Sequence, residues 1–220
     1  MSRVTTKSNS SKRKYDSTRR QAQAEGTRRQ ILAAAYKLFI ERGFAGATIE
    51  AIAAEADVAP ETIYAVFKNK KKILVDLINF SSASRAEEKI PLLQRAGPQA
   101  VAQERDQRRQ LQMFAQFVAN NLEGTAPISE IILVAAKTER DIDKLMQQLI
   151  KQRWQHMTVA VQQIVSNGPF REKMDDEYAT DIVWTLSSPE VFLLLTRDRG
   201  WPKEKYAQWL ADALARALLP

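Results

Sequence analysis

Cysteine is absent from the 220 residues, and histidine occurs once, as His156. Without cysteine there is no disulfide, thiolate metal site or cysteine nucleophile, a composition suited to a reducing compartment. One histidine leaves acid–base catalysis short of its usual proton shuttle. No Gly-rich phosphate loop, metal-ligand cluster or nucleophile–base set appears. The chain therefore reads as a non-enzyme that implies no cofactor and no metal. Long apolar runs are also missing: none approaches the ~20 residues that span a bilayer, so no membrane partner is expected. The N-terminus lacks the apolar core of a signal peptide, and a cytoplasmic protein is the expectation.

Charge is present, and its location matters more than its sum. The formal net charge is +7, and residues 1–29 alone carry Arg3, Lys7, Lys12, Arg13, Lys14, Arg19, Arg20, Arg28 and Arg29 against Asp16 and Glu25. The remainder of the chain is therefore neutral overall. A basic block of this kind is either a solvated tail or an arm for a polyanion such as nucleic acid. Residues 1–26 hold almost no apolar side chains, cannot build a core, and are expected to be a disordered basic arm.

Glycine is scarce at seven residues, and each lies at or near a break in the hydrophobic periodicity. The stretches between read as helices, and strand signals are nearly absent. A first helix over about 27–42 carries Ile31, Leu32, Ala35, Leu38 and Phe39 on one stripe. Gly43 stops it. Thr48 is placed to cap a short second helix reaching about Ala56. A tight turn then leads to Pro60, which opens a third helix of two turns ending near Phe67. Asn69 can cap a fourth, bearing Ile73, Leu74, Leu77 and Ile78. Pro91, Gly97 and Pro98 interrupt the chain. Helices follow at about 106–121 and 128–137, separated by Pro127, then at about 141–166, 175–187, 189–196 and from about 202. The predicted fold class is all-α, in three parts. These are the arm (1–26), a three-helix helix-turn-helix domain (27–75) and a C-terminal helical bundle for ligand binding and dimerisation (76–220).

Two short helices joined by a tight turn are what a helix-turn-helix requires. Ile31-Leu32-Ala33-Ala34-Ala35, Leu38-Phe39, Arg42-Gly43-Phe44, Ala47-Thr48-Ile49, Ile52-Ala53, Ala56-Asp57-Val58-Ala59, Thr62-Ile63-Tyr64 and Phe67-Lys68-Asn69-Lys70 follow in that order. Together they resemble the DNA-binding signature of the tetracycline-repressor (TetR) family. The C-terminal run Leu194-Leu195, Arg199-Gly200-Trp201, Tyr206 and Trp209-Leu210 is similar to the end of family members. The resemblance implies a transcriptional regulator, by default a repressor released from DNA by a small molecule. Its partners would be double-stranded DNA bearing an inverted-repeat operator, a second copy of itself, and an effector of unknown identity. It also implies that Thr48, Tyr64 and Lys70 contact phosphates. Three departures stand out: Asp57 replaces the usual turn glycine, Ala59 the usual serine cap, and Ala51 the acid of a capping box.

The recognition helix would present Pro60, Glu61, Thr62 and Ala65 to the major groove, with Arg28 and Lys68 on the flanks. Between Val58 and Phe67 there is no Arg, Lys, Asn or Gln. The commonest bidentate contacts to guanine and adenine are therefore missing, so phosphates and DNA shape must carry much of the affinity. Candidate effector contacts are Phe114, Phe117, Trp154, Met157, Trp184 and Phe192, each of which also suits a plain core. Leu210, Leu214 and Leu218 are candidates for the dimer interface, or for the core of one chain. The alternative is a helical interaction protein whose basic arm binds polyanions without regard to sequence.

Overall fold

The computed structural model describes residues 10–82, 84, 86–172 and 174–220, with side chains in the first helix from Arg19 onward. Among these residues there is no strand, and no helix is long and apolar enough to cross a membrane. The helices are α1 (Ser10–Gly46), α2 (Ile49–Glu55), α3 (Pro60–Phe67), α4 (Lys70–Ser82), α5 (Ala96–Gln103), α6 (Gln107–Ala136), α7 (Arg140–Val165), α8 (Asp176–Leu186), α9 (Pro189–Leu193) and α10 (Lys203–Leu218).

Helix α1 begins well before residue 27, which corrects the expected disordered arm over residues 10–26. The segment from Arg19 to Glu25 is Arg, Gln, Ala and Glu without proline, so it has strong helix propensity despite lacking an apolar face. It is also anchored: Lys89 reaches Glu25 at 3.2 Å, and Glu88 binds both Arg28 and Arg29. Arg19 and Arg20 are exposed on this helix, whereas Arg3, Lys7 and the side chains of Lys12, Arg13 and Lys14 lie outside the described residues. At its other end Gly43 takes a φ of 67°, which breaks the helix where the sequence places its stop.

Two apolar cores share one long helix. Ile31, Leu32, Leu38 and Phe39 of α1 meet Ile52 of α2, Ile63 and Phe67 of α3, and Ile73, Leu74 and Leu77 of α4. The last part of α6 (Ile128, Ile132) and the start of α7 (Ile142, Leu145) close this cluster. The first part of α6 (Leu111, Phe114, Val118, Leu122) faces the second core, with Val161 and Ile164 of α7, Val183 of α8, Phe192 of α9 and the apolar stripe of α10.

Helix α6 runs unbroken through Pro127, where the sequence suggests two helices. Proline removes one intrahelical hydrogen bond, yet packing on both sides holds the axis. Thr125 Oγ1 donates to the Asn121 carbonyl (2.8 Å) and Ser129 Oγ to that of Thr125 (3.0 Å), adding bonds around the break. The boundary expected at residue 75/76 falls inside α4, which continues to Ser82 and packs on both α1 and α6. Gly124 makes the α4–α6 crossing possible: a Cβ there would sit 2.1 Å from the Ser81 carbonyl oxygen.

The helix expected over 189–196 is α9 followed by a wider π turn over Leu194–Asp198. Leu210, Leu214 and Leu218 are fully buried within the single chain. This corrects their assignment to a dimer interface. Helix α10 packs along α6, so the apolar stripe that looked available to a partner is the monomer's own core.

Candidate nucleic-acid interface

The turn between α2 and α3 is built from backbone hydrogen bonds. Val58 N–H donates to the Ala53 carbonyl (3.0 Å) and Asp57 N–H to that of Ala54 (3.3 Å), the paired bonds of a Schellman stop. Asp57 occupies the left-handed position with a φ of 50°. An aspartate accepts that conformation at a cost of about 1 kcal/mol, because its short side chain clashes little. Gln30 of α1 donates to the Ala56 carbonyl (2.7 Å), closing the end of α2 from outside. Lys37 pairs with Glu55 at 2.8 Å. These contacts fix α2 on α1 and thereby aim α3.

At the front of α2, Thr48 Oγ1 accepts from Ala51 N–H at 3.1 Å. Its hydroxyl proton is left to donate outward, so capping and phosphate contact are compatible. Helix α3 has no side-chain cap at Ala59 and relies on Pro60 in its first turn. Ile63 and Phe67 have no solvent exposure and hold the helix down; each contributes roughly 2–3 kcal/mol of burial. That leaves Glu61, Tyr64, Ala65 and Lys68 exposed at a spacing of three to four, with Pro60 and Thr62 half-buried beside them. Tyr64 is 50% exposed, so it serves a surface rather than the core. Lys68 has a φ of 64° and turns the chain sharply into α4. Asn69 Oδ1 then accepts from Lys72 N–H (2.9 Å) and caps α4.

Two of the expected DNA contacts are placed differently. The Arg28 guanidinium lies 2.7 Å from Glu88 and 3.2 Å from Asp76, with its carbon 5.9 Å from the Phe67 ring centroid. It is an internal cation joining α1, α4 and the 86–90 turn, not a free flank of the α3 surface. Glu88 stands sixty residues away in sequence, which is why spacing did not reveal the pair. Lys70 donates to the Phe44 carbonyl at 2.6 Å and sits over the Phe44 ring. Burial pushes its ammonium below the ordinary lysine pKa. Lys72 is paired with Asp76. Two of the three lysines opening α4, Lys70 and Lys72, thus find compensation inside the protein, although an ammonium with three donors can still offer one to a phosphate.

Residues 31–77 match the family model of the bacterial regulatory proteins of the tetR family. The helix-turn-helix domain is of the tetR family. The chain is 28% identical over 160 residues to YdeS, an uncharacterized HTH-type transcriptional regulator of Bacillus subtilis (strain 168), covering 73% of this chain and 75% of YdeS. The fold extends beyond the domain. NalD of Pseudomonas aeruginosa, the secondary repressor of the MexAB-OprM multidrug efflux pump, superposes with a TM-score of 0.65 at 21% identity, over 89% of this chain and 97% of NalD. The transcriptional regulator FadR of Bacillus subtilis, in complex with stearoyl-CoA, superposes with a TM-score of 0.62 at 17% identity, over 84% of this chain and 96% of FadR.

In the C-terminal helices the six expected effector residues do not converge. Phe114, Phe117 and Met157 line one small cavity together with His156 and Val101. Trp184 lines a different one, beside Met146 and Ile150, and shares a surface groove with Trp154. Trp154 lies at the surface with its indole N–H 3.3 Å from Asp181, and Phe192 is core, edge-on to Tyr206 at 4.9 Å between centroids. A larger cavity of about 600 Å³ lies between the end of α4, residues 88–95, α6 and α7. Its polar lining includes Asn79, Ser82, Arg95, Asn121, Gln152 and Arg153, none of which the sequence reading singled out. A signal was present: Arg153 occupies the stripe position between Leu149 and Met157, where periodicity calls for an apolar residue.

Proposed function

We propose that this chain is a dimeric, cytoplasmic transcriptional repressor that binds an inverted-repeat operator through α3 and is released by a small molecule held in its C-terminal helices. The observation that carries the DNA reading is the exposed face of α3 (Glu61, Tyr64, Ala65, Lys68), held rigidly by Ile63 and Phe67 behind a Schellman turn. The family match over residues 31–77 supports the same reading.

Thr48 and Tyr64 would donate to phosphates, while Pro60, Glu61, Thr62 and Ala65 meet base edges. Lys70 contributes its remaining donors, and Lys68 lies at the rim. The cavity beside α4 supports release by a ligand, because Ile78, Asn79 and Ser82 of its wall belong to the helix whose Ile73, Leu74 and Leu77 lie in the DNA-binding core. A ligand that shifts α4 shifts α3 with it. The complex of FadR with stearoyl-CoA is a precedent for a bound ligand in a regulator of this fold. A dimer matches the two-fold symmetry of such operators. With Leu210 and Leu214 buried, its contacts would use the outer faces of α8 and α10, around Tyr178, Ile182, Ala213 and Ala217.

The test is gel retardation of duplexes from the gene's own upstream region, with wild type and Glu61→Ala. Wild type should retard one duplex selectively, and the variant should relax the preference at one base position. Equal retardation of unrelated duplexes by both proteins would refute sequence-specific reading and favour an arm that binds polyanions generally.

A further inference from the structure

The cavity beside α4 is lined by two arginines that make no ion pair among the described residues. Arg95 is only 4% exposed. Its guanidinium donates to the carbonyls of Ile90 (3.0 Å) and Ser82 (3.3 Å), to Ser82 Oγ (3.0 Å) and to Asn79 Oδ1 (3.4 Å). Every one of these acceptors is neutral. Arg153 donates to the Trp184 carbonyl and lies over that indole ring, 4.5 Å from its centroid. Among the described residues neither arginine has a carboxylate oxygen within 4.0 Å. Glu88 reaches the same cavity, but its two oxygens are bound to Arg28 and Arg29.

A buried cation without a counter-charge is costly, and proteins otherwise pair it. Burial pushes the Arg153 guanidinium down to about 10 and lowers that of Arg95 as well, while Glu190 and Glu87, neither of them in an ion pair with these arginines, act in the opposite direction. The Asn121 side-chain oxygen is buried on the same wall and accepts no hydrogen bond; as an acceptor it would take a donor on the body of a ligand and not its acidic group. Ile78, Leu122 and Leu149 supply apolar surface between these groups. The volume of about 600 Å³ suits an amphipathic small molecule.

We propose that this cavity binds an organic anion with an apolar body, its acidic group taken by Arg95 and Arg153 and its chain laid against Ile78, Leu122 and Leu149. The inference rests on the regulator reading and names the class of its effector. It also gives a route for release. Arg95 holds the carbonyl end of α4 through Ser82 and Asn79, where a cation favours the helix dipole. An anion that draws on Arg95 weakens that hold, so occupancy and the seating of α4 are linked.

Titration calorimetry on the full-length protein tests the claim with four probes built on a ten-carbon chain: decanoate, decyl phosphate, decanol and decyltrimethylammonium. At least one anion should bind about tenfold or more tightly than decanol, since charge-assisted hydrogen bonds are roughly twice as strong as neutral ones; the ammonium should not bind. Arg153→Gln should weaken the anion about tenfold and leave decanol within about twofold. Should that variant not fold, the anion-to-alcohol ratio on wild type decides alone. The proposal is overturned if decanol or the ammonium binds as tightly as both anions, if neither anion binds, or if a folded Arg153→Gln keeps full anion affinity. Retardation of the upstream duplex, measured with the same probes, separates the two readings. An anion that binds without releasing DNA supports the ligand class and refutes effector release. A neutral or cationic probe that releases DNA refutes the ligand class and leaves effector release standing.

Discussion

Replacing Gly124 with alanine probes the crossing that joins the two cores. The added methyl would lie 2.1 Å from the carbonyl oxygen of Ser81 and 3.0 Å from its carbon. Both atoms are backbone of α4, so no rotamer change relieves the overlap. Ordinary contact requires α4 and α6 to part by roughly 1 Å, and overpacking of this kind costs about 1–3 kcal/mol. Alanine returns up to about 1 kcal/mol of helix propensity, leaving a net loss of about 1 kcal/mol at the middle of that range. For a chain of this size that lowers Tm by roughly 2–4 °C. Gly26→Ala is the matched control: it lies exposed in α1 with nothing within 4 Å of the added methyl. Only propensity acts there, and Tm should rise by about 1–3 °C. Thermal unfolding of the two variants and wild type, followed by circular dichroism in one buffer, gives the comparison. A Gly124→Ala protein that melts at or above wild type would refute the close approach of α4 and α6.

Three further outcomes follow from the same structure. Tyr64→Ala should lower operator affinity by about tenfold or more, by losing a phosphate contact, while leaving Tm within a degree or two; fluorescence anisotropy and melting measure the two, and undiminished affinity would remove Tyr64 from the interface. Leu210→Asp places a carboxylate in the core between α10 and α6, so it should unfold the protein rather than yield a folded monomer. Sedimentation and circular dichroism distinguish these, and a folded monomer would return Leu210 to an interface between copies. Deleting residues 1–20 removes seven basic side chains and one acid. If two or three per chain meet phosphates, the logarithmic salt slope of a dimer falls by about 4–5; parallel slopes with equal affinity would make the arm a solubilising tail.

Much of the DNA-binding half was legible because its signals are local. Pro60 opens α3 as its missing N–H predicts, Thr48 and Asn69 cap α2 and α4, and Gly43 breaks α1. Each of these depends on residues within four positions of one another. What was not legible depended on distance. The role of Arg28 required Glu88, and that of Lys70 required the carbonyl of Phe44. Pro127 reads as a break by its chemistry, yet α6 continues because both cores grip it. A polar segment such as Arg19–Glu25 reads as disordered by its lack of apolar residues, although propensity and the anchors at Glu88 and Lys89 make it helical. In the C-terminal half, an apolar stripe on α10 cannot by itself say whether it faces its own chain or a partner. The cavity was not legible from aromatic residues because these suit a plain core equally well, whereas its distinguishing residue is Arg153, which interrupts the apolar stripe of α7.

Reading of an inverted repeat by α3 of a dimer is tested by a stoichiometric titration of the protein into two labelled duplexes at fixed salt. One carries the inverted repeat selected from the gene's upstream region, and the other the same bases scrambled. Two chains per duplex are expected at saturation, with a preference for the repeat of about a thousandfold or more. Glu61→Ala and Tyr64→Ala should both weaken binding to the repeat. Equal affinity for the two duplexes, or full affinity in both variants, would contradict reading of the repeat by α3.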